Sequence, residues 1–511
     1  MMTMPSHSAL TFKQALLAML GISLVLMLSA LDQTVIGNAL PSIVAQLQGF
    51  ELYAWVATGY LLASIVTIPI FGRLGDYYGR KPFVLAATVI FTLASLICAL
   101  ANDMLVLVLG RALQGVGGGM LIGTAFACIP ELFPDTRQRL RWQILLSALF
   151  SVVNAIGPGL GGYLTGAFGW RSVFYINLPL GAVALCFAWR YLPHYRPLQS
   201  RAIRLDWLGA LLIAVALGSL QLFVEWLGQA QVWGSAILGA VCIAAAVALW
   251  CWERRCSDAL LPAALFRSPS VRLLFVLSLL AGAIMFSLLF YLPLLLQGSY
   301  GYSPQDAGLL ITPLALSITL GAIVNGRIIT QLRNPNLIPL AGFAVLLVAC
   351  AGLGLVGLHA SFHALLGLIL LAGLGLGFIL MNLTVFTQTL AERQFLGIAT
   401  ALTQSLRLVG GLLGTAVMGV LVKLLYASHL QGAFIAAGQA DALPRFIDPQ
   451  VLLKAGGDPA LLQLARQALA QALGSGLLLC AGLGVLALWV LYRLPPVALT
   501  RAAAPVAPEE Q

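Results

Sequence analysis

The stretch GRLGDYYGRK, residues 72–81, separates two long apolar runs near the start of the chain. Its three glycines allow a tight turn and a close approach of the flanking segments. Asp76 can pair with a neighbouring arginine. The three basic residues indicate the cytoplasmic side of a membrane, where short loops collect lysine and arginine. Taken alone, the stretch predicts a basic turn between two membrane-spanning helices.

The composition of the whole chain is that of an integral membrane protein. Only 9% of the 511 residues are charged and 60% are hydrophobic, against about 25% and 45–50% in soluble domains. The formal net charge of +10 comes from basic residues scattered over short loops, which argues against nucleic-acid binding. The eight cysteines stand singly in or beside apolar stretches, a pattern typical of packing residues. No metal site and no cofactor are expected.

Fourteen apolar runs are long enough to cross a bilayer as helices, for which about 17–25 residues are needed. They lie near residues 14–39, 53–71, 82–100, 104–127, 142–164, 173–192, 207–227, 232–252, 271–297, 305–326, 337–358, 362–390, 395–426 and 473–494. We therefore predict an all-α membrane protein with fourteen spans.

The basic residues predict the orientation of these spans. With a cytoplasmic N-terminus, twenty of the 27 lysines and arginines fall in inside segments, so both termini are expected inside. A weak repeat at an offset of 254 residues aligns Gly72 with Gly326 and Gly157 with Gly411. It suggests two related six-helix halves, the usual architecture of secondary transporters. The predicted organisation is a tail (1–13), a six-helix bundle (14–192), two additional helices (207–252), a second six-helix bundle (271–494) with an outside loop (427–472), and a tail (495–511).

Several stretches resemble motifs of the major facilitator superfamily. Residues 72–81 resemble its signature loop, residues 109–119 (LGRALQGVGGG) its fourth-helix motif, and residues 157–162 (GPGLGG) the motif that marks its antiporters. LDQT at residues 31–34, followed by ALP, and the stretch from Trp170 to Pro179 are similar to the fourteen-span drug:proton antiporter branch. The resemblance implies the major facilitator fold, two six-helix bundles plus two extra helices. It also assigns conformational roles to Gly72, Asp76, Gly79, Arg80, Lys81, Gly157, Pro158, Gly161 and Gly162.

Three ionisable residues, Asp32, Arg111 and Arg407, lie inside predicted spans. Such groups are costly in lipid and are functional candidates by default. Asp32 and Arg111 each lie about seven residues from the outer end of their spans, roughly 10 Å deep at ~1.5 Å per residue, so they can meet or share a proton path. In the family, the corresponding acid and arginine are linked to proton coupling; a purely structural ion pair is the alternative.

Further polar residues in or near spans are candidates for the transport pathway: Gln33, Thr34, Gln114, Asn325, Asn382, Gln388 and Arg407. Hydrogen bonds between helices explain amides such as Asn325 and Asn382 equally well. Arg407 can steer an anionic substrate group or pair with a carboxylate, and a structural role is equally well supported. Asp206 and Asp306 fit the first turn of a helix, and Asp458 before Pro459 fits a helix N-cap.

The sequence lacks a phosphate-binding loop and a nucleophile motif, so we predict no enzyme and an ion gradient as the energy source. The predicted function is proton-coupled export of small hydrophobic or cationic compounds across a cytoplasmic (inner) membrane. The expected partners are the substrate, protons and the lipid bilayer, with an adaptor or outer-membrane channel if the source is Gram-negative. The alternatives are export of one endogenous metabolite, lipid or siderophore, and a non-transporting receptor or scaffold.

Overall fold

A computed structural model describes residues 12–132, 153, 156–193, 206–227, 232–255, 266–329, 331–391, 396–447, 452 and 458–497. Over these ranges the chain is helical and contains no strand, and thirteen helices are long and apolar enough to cross a membrane. Each of the thirteen coincides with one predicted run. Most of the fifth predicted span, 142–164, lies outside the described residues, but residues 156–168 are helical. The all-α membrane fold is confirmed.

The first group of helices comprises α1 (Phe12–Leu47), α2 (Tyr53–Tyr78), α3 (Arg80–Ala99), α4 (Met104–Leu132), α5 (156–168), α6 (Ser172–Tyr175) and α7 (Asn177–Tyr191). A hairpin of α8 (Trp207–Leu227) and α9 (Val232–Glu253) follows. The last group comprises α10 (Pro269–Leu294), α11 (Pro304–Ile328), α12 (Leu337–Leu355), α13 (Phe362–Leu390), α14 (Leu396–Ala436), α15 (Leu443–Phe446) and α16 (Pro459–Tyr492).

Local sequence explains where many of these helices begin. Ser268, Ser303, Ser361 and Asp458 each accept a hydrogen bond from a main-chain amide of the first turn, and proline opens α10, α11 and α16. These are the residue types that N-cap and N1 positions favour. The predicted helix starts at Asp206, Asp306 and Asp458 are confirmed by hydrogen bonds from Gly209 N to Asp206 Oδ1 (2.7 Å), from Asp306 N to Ser303 Oγ (3.1 Å) and from Ala460 N to Asp458 Oδ1 (3.0 Å).

Several helix boundaries differ from the sequence prediction. α1 continues through Pro41 to Leu47, because a membrane helix tolerates a proline where neighbouring helices satisfy the freed backbone. Asp32 is therefore fifteen residues from the end of α1, about 22 Å along it, and not 10 Å. α14 extends to Ala436 and α16 begins at Pro459, so both helices continue into the predicted loop 427–472.

The helices pack in two groups that meet along one face. α1, α3 and α7 pack together, as do α2, α3 and α4, and a second packed group contains α10 to α14 and α16. The groups touch through α1 with α10 and α11, and through α2 with α14. α8 lies against both α2 and α14, so the extra hairpin packs where the two groups join.

Candidate functional site

A buried ion pair joins α1 to α4 in the first group of helices. Asp32 on α1 is 1% exposed and Arg111 on α4 is fully buried. Arg111 Nη1 lies 2.5 Å from Asp32 Oδ2. Because an isolated charge in such an interior costs several kcal/mol, each group needs the other to remain charged. The structure thus brings together the two residues predicted for proton coupling.

The Asp32 carboxylate accepts two further hydrogen bonds from side-chain amides. Gln114 Nε2 on α4 and Asn177 Nδ2 on α7 donate to Asp32 Oδ1 at 2.8 and 3.1 Å. The same two amides donate to Ser95 Oγ on α3, at 2.6 and 3.1 Å. Four helices therefore converge on one carboxylate, and all three of its donors stabilise the ionised form.

Arg111 is held in place by more than the carboxylate. Its Nε donates to the main-chain oxygen of Val56 on α2 at 3.2 Å, and its Nη1 also donates to Gln114 Oε1 at 2.8 Å. The guanidinium carbon lies 4.5 Å from the ring centroid of Tyr60, a cation–π distance. These contacts fix the position of the guanidinium.

Tyr60 extends the network back to α1. Its hydroxyl lies 3.2 Å from Ser29 Oγ and accepts a hydrogen bond of 3.3 Å from Gln33 Nε2. Gln33, a predicted pathway residue, therefore reaches the ion pair only through Tyr60. Thr34, the next candidate, donates to the main-chain oxygens of Ala30 and Leu31 within α1 and makes no described link to the carboxylate.

Sequence reasoning missed Asn177, Ser95 and Tyr60 as members of this network. Asn177 lies in the stretch INLP, which resembles the fourteen-span branch. This resemblance was the one sequence feature that could have indicated a functional role for Asn177. Ser95 and Tyr60 lie in apolar runs, where nothing in the local pattern separates a network residue from a packing residue. All three are at most 2% exposed.

The glycine-rich motif of α5 lies between α1 and the second group of helices. Gly157 packs against Thr34 and Gly161 against Val35. The main-chain oxygen of Pro158 accepts a 2.6 Å hydrogen bond from Asn38 Nδ2. On its other side Gly162 faces Pro304 and Gly308 of α11 so closely that any side chain there would overlap the Pro304 main chain.

The signature-like stretch 72–81 spans the junction of α2 and α3. Gly79 breaks the helix with φ 83° and ψ 149°, a conformation that favours glycine. Arg80 and Lys81 open α3 and are partly buried. The surroundings of Gly72 and the side chain of Asp76 lie outside what the structure describes, so their predicted latch remains a prediction.

The candidates of the second group do not join the Asp32 network. Asn325 on α11 and Asn382 on α13 donate to each other at 3.1 Å in both directions, as interhelical hydrogen bonding predicts. Gln388 is half-buried near the end of α13. Arg407 lies on α14, beside Gly282 of α10.

Membrane helices that bury an ion pair between them and pack in two groups with a common interface are typical of membrane transporters. The family model of the Major Facilitator Superfamily matches residues 22–415. The chain belongs to this superfamily and is a multi-pass membrane transporter.

Its similarity to named proteins extends over most of the chain. It is 31% identical over 448 residues to "Multidrug resistance protein 3" of Bacillus subtilis (strain 168), covering 86% of each chain. It is also 31% identical to the "Multidrug transporter protein MdtP" of the same organism, covering 79% of this chain and 74% of the relative. A bacterial homologue of the human lysosomal transporter Spinster, solved in an inward-facing and occupied conformation, shares the fold with a TM-score of 0.67 at 15% identity, over 94% of this chain and 97% of that one.

Proposed function

We propose that the protein exports small hydrophobic or cationic compounds in exchange for protons, as a multidrug efflux antiporter. The observation that carries this proposal is the buried carboxylate of Asp32, held by Arg111, Gln114 and Asn177 in the middle of α1. A carboxylate deep in a membrane span costs free energy, so its presence indicates a functional role. The printed names of the relatives, a multidrug resistance protein and a multidrug transporter, support the substrate class.

Proton uptake by Asp32 would alter the packing of α1. A protonated carboxyl loses its Coulombic attraction to Arg111 and leaves the guanidinium uncompensated, so the pair must rearrange. Six residues along α1, Asn38 donates to the oxygen of Pro158 on α5, and its own main-chain oxygen accepts a 3.0 Å hydrogen bond from Gln297 Nε2 of the second group. Movement of α1 is thereby transmitted to the interface between the groups.

The two groups would act as rocking halves, with α8 and α9 as an additional pair. This division follows the predicted bundles 14–192 and 271–494 and the extra helices 207–252. We propose cytoplasmic termini and a cytoplasmic (inner) membrane location from the one-sided distribution of basic residues. In a Gram-negative cell an adaptor or outer-membrane channel would accept the exported compound.

The first test is ethidium efflux from energised cells at matched membrane expression. We expect the wild type to extrude ethidium, and a protonophore or the variant Asp32→Asn to abolish the efflux. Asp441→Asn, which neutralises an exposed acid beyond the end of α14, is the matched control and should behave like the wild type. Full efflux by Asp32→Asn would contradict the proposed role of Asp32.

Export of one endogenous metabolite, lipid or siderophore is the second candidate. It is favoured by the shortage of acids, because Asp32 is the one carboxylate that lies far from a helix end within the described spans. A site for dicationic drugs would need more negative charge. Absence of ethidium efflux by a well-expressed wild type would direct the search to such compounds.

A further inference from the structure

The second group of helices contains a charge that the Asp32 network does not neutralise. Arg407 lies on α14, and its main-chain oxygen packs against Gly282, thirteen residues into α10. Its backbone is therefore near the middle of the membrane-crossing helices. Its Nε is buried and has no hydrogen-bond partner among the described residues. The described acids of this group, Asp306, Asp441 and Asp458, are all far from it, at or beyond helix ends.

An unpaired acceptor stands one turn away from this unpaired donor. Gln404 precedes Arg407 by three residues on α14, a spacing that places both side chains on one side of the helix. The Oε1 atom of Gln404 is also buried and without a described partner. Buried polar atoms are nearly always paired in native proteins, so these two atoms on adjacent turns are available to form hydrogen bonds with a ligand.

Other polar groups in the same helices are satisfied. Thr403 Oγ1, one residue before Gln404, donates to Thr387 Oγ1 of α13 at 3.2 Å. Asn325 and Asn382 satisfy each other. Within the described parts of α11, α13 and α14, Arg407 Nε and Gln404 Oε1 are the buried side-chain atoms that have no hydrogen-bond partner.

The helix that carries both residues lies at the interface of the two groups. α14 packs against α2 and α8 as well as against α10, α13 and α16. Secondary transporters bind substrates near the bilayer midplane at such an interface. Arg407 therefore combines a midplane position, an interface helix and a positive charge without a counterion among the described residues.

We propose that Arg407 and Gln404 form a subsite for the anionic group of a hydrophobic substrate. The guanidinium would bind a carboxylate or phosphate, a geometry that suits arginine better than lysine, and Gln404 Oε1 would accept from a neighbouring hydroxyl or amide of the ligand. This inference rests on the proposed transport function and extends its substrate class to amphiphilic organic anions. A soluble carboxylate and a lipid phosphate share this chemistry.

Binding to the purified protein in phosphatidylcholine nanodiscs tests the subsite without transport. The probes are fluorescein, an organic anion, and ethidium, a cation, each followed by fluorescence anisotropy. We expect Arg407→Gln to weaken fluorescein affinity by about tenfold or more, the loss typical of a hydrogen bond to a charged group, and Gln404→Leu to weaken it less. Neither variant should lose ethidium binding, because ethidium is a cation and does not need the guanidinium; retained ethidium binding also shows that the variants fold.

The controls separate this subsite from other sources of binding. Arg327→Gln removes an exposed basic residue at the end of α11 and should bind fluorescein like the wild type, while Arg407→Lys should retain part of the affinity. Equal fluorescein affinity in the wild type and Arg407→Gln, or no fluorescein binding by the wild type, would overturn the proposal.

Anionic lipid distinguishes the two sources of the ligand. If phosphatidylglycerol in the nanodisc weakens fluorescein binding to the wild type but not to Arg407→Gln, the subsite takes lipid phosphate. If phosphatidylglycerol has no effect on an Arg407-dependent affinity, the ligand is a soluble anion. The antiport proposal and the subsite proposal can fail separately. If only the antiport proposal is wrong, ethidium efflux is insensitive to Asp32→Asn while fluorescein binding still depends on Arg407.

Discussion

At the scale of single residues, the Asp32 carboxylate has three donors, and they come from three separate side chains on two helices. Arg111 supplies the compensating charge, whereas Gln114 and Asn177 supply neutral hydrogen bonds. Both amides also donate to Ser95 Oγ, so a shift of either amide changes a hydrogen bond to α3. Protonation of Asp32 would therefore change contacts on four helices at once.

Asn177 provides a test of this network that leaves the ion pair intact. Asn177→Leu removes one donor to a charged carboxylate, an interaction with a typical net value of about 1.5–3 kcal/mol. We expect ethidium efflux to fall by about tenfold at unchanged expression, because 1.4 kcal/mol corresponds to a factor of ten. Gln463→Leu, on the exposed side of α16, is the control. Unimpaired efflux by Asn177→Leu would show that the amide is dispensable.

At the scale of helices, α5 connects the acid-bearing helix to the other half. One side of α5 contacts Thr34 and Val35 of α1, and the other contacts α11 at Pro304 and Gly308. The described contacts between the halves also include Tyr53 Oη donating to the main-chain oxygen of Phe290 at 2.9 Å. These contacts between the halves lie near the end of α1 and the start of α2, on the side away from residues 72–81.

Gly162 controls how closely α5 and α11 approach. Gly162→Ala adds a methyl group that overlaps the Pro304 main chain, so the variant should favour states in which the two halves separate on this side. Spin labels at the exposed positions 168 and 463 should report a longer mean distance in Gly162→Ala than in the wild type. Gly482→Ala, whose added methyl group meets nothing within 4 Å, should leave the distance unchanged. An unchanged distance in Gly162→Ala would refute the role of this contact.

Sequence patterns predicted the helices well and the network only in part. Length and apolarity suffice to locate spans, and the cost of a charge in lipid singled out Asp32 and Arg111 before their contact was seen. Asn177 and Ser95 were missed because their function depends on which faces of α3 and α7 meet α1, and no local periodicity encodes that. The predicted distance of Asp32 from the end of its helix was too short because the predicted span ended near residue 39, whereas α1 continues through Pro41 to Leu47.

At the scale of the whole molecule, the two halves carry different polar chemistry. The first half holds a charge pair whose carboxylate and guanidinium are both fully enclosed. The second half holds Arg407 without a described counterion. In the proposed mechanism, Asp32 in the first half would bind the proton and Arg407 in the second half would bind the substrate. The α8–α9 hairpin contacts both halves, because α8 packs against α14 and Gln221 on α8 donates to Thr58 Oγ1 of α2 at 3.5 Å.

Proton release on substrate binding tests the exchange most directly. The purified wild type is first equilibrated at a low pH that protonates Asp32. Ethidium added in a weakly buffered solution should then lower the pH further, read by an indicator dye, as Asp32 gives up its proton and pairs with Arg111 again. Asp32→Asn should bind ethidium without releasing a proton. Equal acidification by Asp32→Asn, or ethidium binding by the wild type with no proton release, would contradict antiport through Asp32.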